Sequence, residues 1–274
     1  MADSIAIGGY TITAFSDGRL QTTIEGAGAS DTAVIRAFTG SENPEPVIFA
    51  VNTFLIEGRG ICALVDTGCG NTRGPGLGKL TTNLIAAGKP LAAITHVLLT
   101  HFHPDHSNGL IDGAGAAVFP NAELIAHETE ARFWLDTEPS QSSNERIQRN
   151  RQAAQQVCAP YQKRMRRVQD GEALPGILAR VSPGHTPGHS CWIVEDDGDS
   201  LMIWGDTIHL TRLQLAHPEI GFNVDVDPAM GAASRMRLLD QVSADRTRVA
   251  GMHLEFPGFA YIVKRGGKYE LAAE

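Results

Sequence analysis

A mixed α/β (α+β) fold is what this sequence predicts, and three observations carry that reading. Apolar runs of strand length recur along the chain, several of them end in a histidine or an aspartate, and segments with helical spacing fall between them. Two similar passes of this pattern suggest two sheets packed face to face with helices outside. Periodicity by itself supports only the α/β or α+β class.

In chain order, residues 5–7 and 10–15 read as a hairpin through Gly8-Gly9. Residues 47–56 and 61–65 read as a second pair, joined by Glu57-Gly58-Arg59-Gly60. Residues 68–78 carry five glycines and read as a loop, with a short helix after them over residues 79–87. The string Gly78-Lys79-Leu80 is no phosphate loop, because Arg73 stands where a glycine is required and no Ser or Thr follows the lysine. A strand over residues 94–100 comes next, then a strand at 123–126 and a helix at 128–135. Residues 144–167 combine helical spacing with weak apolar content, which predicts a long solvated helix broken near Pro160. Strands follow at 177–181, 191–194 and 201–204. A helix over 228–242 rests on the spacing of Met236, Leu238, Leu239 and Val242, and strands at 247–251 and 259–263 finish the chain.

At 274 residues the chain is long enough to bury a substantial core. A hydrophobic content of 42% with 20% charged residues places it among ordinary soluble globular proteins. No apolar run approaches the eighteen or so residues of a membrane span, so no membrane partner is expected. Met1-Ala2-Asp3-Ser4 shows neither a basic segment nor an apolar signal core, so a cytoplasmic location is expected unless a leader has been removed. The four cysteines have no C-x-x-C spacing: Cys62 and Cys191 read as core thiols, Cys69 as an exposed loop thiol, and no disulfide framework is expected. A net charge of −8 argues against a nucleic-acid partner. Residues 144–167 run against that trend, with seven positive charges to one negative, a local +6. Such a segment reads as a surface or dimer-facing helix, or as a site for an anionic partner.

The chemistry is concentrated in Thr100-His101-Phe102-His103-Pro104-Asp105-His106, directly after an apolar run. Three imidazoles and a carboxylate in one turn are the ligand types that suit zinc and its neighbours. Residues two apart on an extended strand point the same way, so His101 and His103 can grip one ion together. Pro104 breaks the strand and turns Asp105 and His106 toward a neighbouring position. Three further strand-like runs each deliver one such residue: His185 in a Pro/Gly-rich turn, Asp206 after residues 201–205, and His253 after residues 247–252. His189 lies four residues beyond His185 and reads as a packed histidine beside a full ligand set. His96, His127, His209 and His217 have no supporting spacing, although His209 is near enough to Asp206 to reach the pocket.

The order His-x-His-x-Asp-His, Gly-His, Gly-Asp and a late His resembles the metallo-β-lactamase superfamily of dinuclear metal hydrolases, over about Gly8 to Tyr261. The resemblance implies an αββα sandwich of two mixed sheets flanked by helices, as a single domain over residues 1–274. It implies that His101, His103 and His185 bind one ion, that Asp105, His106 and His253 bind the second, and that Asp206 bridges both. Asp66, in Val65-Asp66-Thr67-Gly68, matches the family's aspartate behind a ligand histidine; its other reading is a turn residue closing the strand at 61–65. The implied cofactors are two divalent ions, zinc first, with Mn2+, Co2+ or Fe2+ as alternatives. The implied mechanism is attack by a metal-bridging hydroxide, with Asp105 or Asp206 passing the proton onward. No Gly-x-Ser-x-Gly elbow is present.

Within the superfamily, the chain most resembles the methyl parathion hydrolase-like and lactonase branch, through residues 100–110, Trp204-Gly205-Asp206-Thr207-Ile208-His209 and His253-Leu254-Glu255-Phe256-Pro257-Gly258. The bridging Asp206 sets it apart from class B β-lactamases, and only 21 residues follow His253, too few for the helical domain of glyoxalase II enzymes. The expected activity is hydrolysis of small-molecule esters or lactones and of organophosphate triesters, by a homodimer. The rival readings are a β-lactam or thioester hydrolase, a mono-iron persulfide dioxygenase-like redox enzyme, and a non-catalytic metal-binding protein. Phe54, Phe133, Trp134, Phe222, Leu254 and Phe256 are the apolar candidates for a substrate pocket.

Overall fold

The computed structural model describes residues 3–22, 46–72, 74 and 76–272. Two large mixed sheets form its centre. The first has seven strands in the order β1 (Asp3–Ile7), β2 (Tyr10–Thr22), β3 (Val47–Gly58), β4 (Ile61–Val65), β5 (His96–Leu98), β6 (Glu123–His127) and β7 (Met165–Val168). Pairing is antiparallel from β1 to β4 and parallel from β4 to β7. The second sheet holds β8 (Gly171–Leu174), β9 (Ile177–Val181), β10 (Ser190–Asp196), β11 (Asp199–Ile203), β12 (Arg248–Ala250) and β13 (Phe259–Ala260), in the spatial order β13-β12-β11-β10-β9-β8. Only β11 and β12 pair in parallel there. A hairpin of β14 (Ile262–Arg265) and β15 (Lys268–Leu271) ends the described chain.

Side-chain alternation along the strands explains the layering. Phe54, Ile56, Ala63, Val65, Leu98 and Ile125 point from the first sheet toward Trp192, Val194, Leu201 and Ile203 of the second, and together they fill the space between the sheets. Their neighbours Leu55, Leu64, Val97 and Leu124 point the other way. Those residues pack against α1 (Leu80–Ala86), α3 (Glu128–Leu135) and α4 (Glu145–Cys158). On the far side, Ile193 and Met202 meet Leu238, Leu239 and Val242 of α6 (Pro228–Asp245). Each such fully buried side chain contributes roughly 2 kcal/mol. The result is the αββα order of layers. Two shorter helices, α2 (Pro104–Ser107) and α5 (Thr211–Ala216), sit in the loops at one end of the sheets. No helix among the described residues is long and apolar enough to cross a membrane.

Several local expectations change. The basic segment is not one long solvated helix. α4 ends at Cys158, Pro160 lies in a 3-10 turn over Ala159–Arg164, and Met165–Val168 pair with β6 as the edge strand β7. Ala154, Val157 and Cys158 are buried, so a narrow apolar stripe docks α4 despite its polar composition. Cys69 is buried rather than exposed, because its loop closes around Asp17, whose Oδ2 accepts from the Cys69 and Gly78 N–H groups over 2.9 and 3.0 Å. Cys62, expected in the core, is partly exposed. α6 runs three residues further than its apolar spacing predicts; Asp227 caps its start, Pro228 occupies the first turn and Arg246 ends it with a left-handed backbone. Met236, counted toward its apolar face, is exposed.

Candidate metal centre

Strand ends deliver the cluster. β5 runs out through Leu99-Thr100 into His101 and His103, and Pro104 starts α2, which carries Asp105 and His106. β9 leads through Ser182-Pro183-Gly184 to His185, β11 through Trp204-Gly205 to Asp206, and β12 through Gly251-Met252 to His253. The glycine before His185 is obligatory: φ at Gly184 is +130°, and a Cβ there would lie 2.0 Å from the Gly231 backbone nitrogen.

All seven residues meet in one buried place. On one side, His185 Nε2 lies 2.9 Å from His103 Nδ1, 3.2 Å from His101 Nε2 and 3.2 Å from Asp206 Oδ2. On the other, Asp206 Oδ1 lies 3.0 Å from His106 Nε2 and 3.2 Å from His253 Nε2, and Asp105 Oδ2 is 3.8 Å from each of those nitrogens. Three overlapping groups able to hold a metal ion result among the described residues: His101, His103, His185 and Asp206; beside them Asp105, His106 and His253; and, sharing members with both, Asp206, His209 and His253.

Each inward-facing nitrogen is set by what the rest of its ring touches. Asp66, at the tip of β4 with a left-handed φ of 59°, accepts the Thr100 N–H over 2.8 Å and the Thr100 hydroxyl over 2.7 Å. Its Oδ2 also accepts from His106 Nδ1 over 2.7 Å, which leaves Nε2 facing Asp206. His185 Nδ1 donates to Asp225 Oδ1 over 2.7 Å and His253 Nδ1 to the Ala50 carbonyl over 2.8 Å. His101 Nδ1 sits 3.0 Å from the Thr100 hydroxyl. A carboxylate or carbonyl behind the ring is the usual support of a metal-binding imidazole.

The donors fit divalent ions. Ligands on a tetrahedral zinc with bonds of about 2.0 Å are roughly 3.3 Å apart, close to the 2.9 and 3.2 Å between His185 and its two neighbours. His106 Nε2 and Asp206 Oδ1 are buried and close, yet neither has a hydrogen-bond partner among the described residues. Burial disfavours a charge on Asp206, but the imidazoles of His106, His253, His209 and His101 hold its carboxyl well below the usual carboxylate range. Burial and the neighbouring histidines push His101 and His103 well down, so both are neutral and offer lone pairs. Burial opposes a proton on His185 as well, but Asp206 and Asp225 outweigh it and raise the group to about 9. His106 and His253 are raised in the same way by Asp206, so protonated imidazoles balance the buried carboxylate where a bound cation would take their place.

A cavity of about 490 Å³ opens over the cluster, and His103, Asp105, His185, Asp206 and His253 line its floor. His209 joins them, with Nε2 3.0 Å from Asp206 Oδ2. His189 lies behind the cluster: its Nδ1 donates to the Ser182 carbonyl over 3.0 Å and its Nε2 accepts the Asp206 N–H over 2.9 Å. The apolar pocket candidates are elsewhere. Phe54 is between the sheets, Phe256 packs against that same core, and Leu254 is on the outer face of the second sheet. Trp134 lies edge-on to His103 at 5.5 Å and Phe222 edge-on to His209 at 5.4 Å, so both back the histidines without lining the cavity. The cavity walls are Leu20, Phe49 and Val224 on the apolar part and Arg146, Arg149 and Asn150 on the polar part.

Two acids escape the sequence reading. Asp225 sits in Asn223-Val224-Asp225-Val226-Asp227, a stretch with no strand to mark it. Glu130 is fully buried in α3 and binds the two ligand loops together; a charged residue on a short helix gives no sign of that role.

Comparison with known proteins agrees with this geometry. Residues 47–248 match the family model of the metallo-beta-lactamase superfamily. YobT of Bacillus subtilis (strain 168), an uncharacterized protein, is 30% identical over 168 residues, which is 60% of this chain. That match spans 65% of YobT, just under two thirds of its length. Among solved structures, AidC, a dizinc quorum-quenching lactonase in complex with the product N-hexanoyl-L-homoserine, superposes with a TM-score of 0.90 at 26% identity, covering 100% of this chain and 97% of AidC. The hydrolase AbOPH of the beta lactamase superfamily gives 0.89 at 27% identity, over 98% of this chain and 96% of its own. A probable metal-dependent hydrolase from Staphylococcus aureus shares the fold, with a TM-score of 0.80 at 21% identity over 98% of this chain and 99% of its own.

Proposed function

This chain belongs to the metallo-β-lactamase superfamily, and on that premise we propose that it is a dinuclear metal-dependent hydrolase of lactones or esters. One observation carries the reading: the two oxygens of Asp206 face two separate groups of ligand atoms. His101, His103 and His185 would hold one ion, Asp105, His106 and His253 the second, and Asp206 would serve both. Zinc is the proposed metal, because imidazole and carboxylate suit it and the similar AidC is described as a dizinc enzyme.

When bound, two such ions supply Lewis-acid polarisation of a carbonyl oxygen and acidify a water toward neutrality. The protein's own residues do the rest. Asp66 and Asp225 fix the tautomers of His106 and His185, and keep each Nε2 directed inward. Asp105, on the cavity floor, takes the proton that water gives up and returns it to the leaving oxygen. One water is consumed: the acyl carbon–oxygen bond breaks, the water oxygen stays on the acyl carbon, and a proton ends on the alkoxide. Leu20, Phe49 and Val224 offer an acyl chain its apolar wall. The product named in the AidC complex, an acylated homoserine, supports an acyl lactone as the first substrate to try.

The test is reconstitution with zinc, manganese or cobalt, followed by kcat/KM on an acyl-homoserine lactone, an aryl ester and an aryl dialkyl phosphotriester. Chelator-sensitive turnover of the lactone or ester with two metals per chain is the expected result. The phosphotriester is included because its phosphoryl oxygen is polarised in the same way. Negligible turnover of all three with two metals bound overturns the substrate class, and one bound iron with oxygen uptake overturns the reaction class.

A further inference from the structure

One wall of the cavity is cationic, and among the described residues only a loose ion pair at its rim answers that charge. Arg146, Arg149 and Asn150 are three and four residues apart, so they share one face of α4, and that face is the cavity wall. The other arginines of the basic segment have protein partners. Arg151 donates to the Phe133 carbonyl, Arg164 to that of Pro120, and Arg166 and Arg167 bind Glu123 and Asp136. Arg149 pairs loosely with Glu145 at 3.6 Å, both well exposed at the rim. Arg146 is partly buried, and its guanidinium makes no hydrogen bond or ion pair to any described residue. The nearby acid Asp225 is already engaged, with Oδ1 bonded to His185 and Oδ2 to the Phe222 N–H.

That placement works against local stability. Arg146 and Arg149 stand in the first two turns of α4, where positive charge opposes the helix dipole and acids are favoured. Burial also disfavours the Arg146 charge, pulling its pKa below the usual arginine range. A half-buried guanidinium with no partner among the described residues, at the wall of a reaction cavity, breaks a local rule in the place where function sets the rule.

We infer that Arg146, with Asn150 beside it and Arg149 at the rim, binds an ionised carboxylate that the substrate carries away from the bond being hydrolysed. The substrate class is therefore an ester or lactone with a carboxylate-bearing chain, and Arg146 is its specificity-determining residue. The guanidinium fork matches a carboxylate with two parallel donors. Leu20 and Phe49 accompany the chain between the two polar ends. The inference rests on the hydrolase reading for its reaction, while the anion site stands on α4 alone.

The experiment compares zinc-loaded protein on two pairs of 4-nitrophenyl esters. One of each pair carries an ionised tail (the adipate and suberate hemiesters) and the other a neutral tail of matched length (hexanoate and octanoate). A charge-assisted contact predicts kcat/KM roughly tenfold or more higher for the ionised member, mainly through KM. That ratio falls to near one in Arg146→Met and is partly restored in Arg146→Lys. A wild-type ratio near one, or the same ratio in wild type and Arg146→Met, overturns the assignment. Calorimetric titration with adipate against hexanoate supplies a readout that needs no turnover. Wild type prefers adipate and Arg146→Met does not, whereas equal binding in both proteins overturns the site. If neither ester is cleaved, the calorimetry still decides the anion site, and the hydrolase reading is decided separately by the lactone and phosphotriester assays.

Discussion

Thr186 is fastened to Glu130: its hydroxyl donates to Glu130 Oε2 over 2.7 Å in the buried space behind the metal-type cluster. The same oxygen accepts the Gly188 N–H over 2.9 Å, while Oε1 accepts Trp134 Nε1 over 2.6 Å and the Phe102 N–H over 3.2 Å. One carboxylate therefore spans the loop of His101 and His103 and the loop of His185. Four donors aim at its two oxygens, so an amide in its place would turn an N–H group against donors.

Glu130→Gln is accordingly expected to loosen both loops and to weaken metal retention by roughly 10–100-fold, the usual effect of losing an outer partner of a ligand. Competition with a chromophoric chelator measures it, and unchanged zinc affinity would count against the clamp. A pH signature accompanies the loss. Burial raises the Glu130 carboxyl from 4.5 to about 7, its hydrogen bonds opposing. A raised carboxyl stabilises the folded chain fully below the unfolded value, and that contribution fades as pH rises through the folded one. The term amounts to about 3 kcal/mol between pH ~4.5 and pH ~7. Urea unfolding of wild type and Glu130→Gln should show a stability gap larger at pH ~5 than at pH ~7.5 by an amount of that order. An equal gap at both pH values would show that the carboxyl does not titrate there.

Asp206→Ala removes the carboxylate that faces both ligand groups, in a 3-10 turn outside the sheet core. Turnover should fall by about a thousandfold or more while the far-ultraviolet circular dichroism is kept, because the neighbouring imidazoles alone do not hold a metal pair together. Metal analysis should find fewer than two ions per chain. Normal activity with two metals bound would remove Asp206 from the mechanism.

Asp225→Asn tests a more specific point. The carboxylate accepts the His185 Nδ1 proton, and an amide that turns its N–H group to that nitrogen favours the wrong tautomer. Zinc affinity should drop roughly 10–100-fold, with little change in melting temperature of the metal-free protein. A large loss of metal-free stability would instead make Asp225 a structural residue of its turn, through the Phe222 N–H that it also accepts.

What the sequence discloses, and what it hides, follows from the range of the interactions. The three imidazoles of the first motif lie within six residues at the end of one strand, so local geometry alone brings them together. The strand tips that carry His185, Asp206 and His253 are legible because each follows an apolar run and a turn. The layers are legible too, since Leu55 and Phe54, or Leu64 and Val65, alternate between two faces. Cavity walls are another matter. Phe54 and Leu254 look like pocket residues because they are large and apolar, yet strand alternation and loop direction send them into cores. Leu20 and Phe49 reach the cavity as parts of the long β2–β3 hairpin, and Arg146 reaches it from a helix more than thirty residues upstream of His185; no local pattern encodes either approach.

Gly184→Ala is a steric test of the His185 turn. The added methyl would lie 2.0 Å from the backbone nitrogen of Gly231 and 2.3 Å from its Cα, with no flexible side-chain end to give way. Relaxation must shift either the turn of His185 or the first turns of α6, at a cost of about 2–4 kcal/mol. The melting temperature should fall by several degrees and metal content with it. A variant that keeps both would mean that the turn moves freely without disturbing His185.

Metal removal is expected to show how much of the cluster's order depends on the ions. The metal-free site keeps an ionised, buried Asp206 among five imidazoles, and Asp66 and Asp225 are buried nearby. Ligand binding to the folded state alone stabilises it by about 4 kcal/mol when free metal exceeds Kd a thousandfold. For a chain of this size that corresponds to a rise of roughly 10 °C in melting temperature. Calorimetric scans before and after chelation, with zinc restored in a third scan, measure the difference. A chelated protein that melts within a degree of the reloaded one would mean that the hydrogen bonds behind the histidines complete the site without metal, and the dinuclear reading would lose its physical basis.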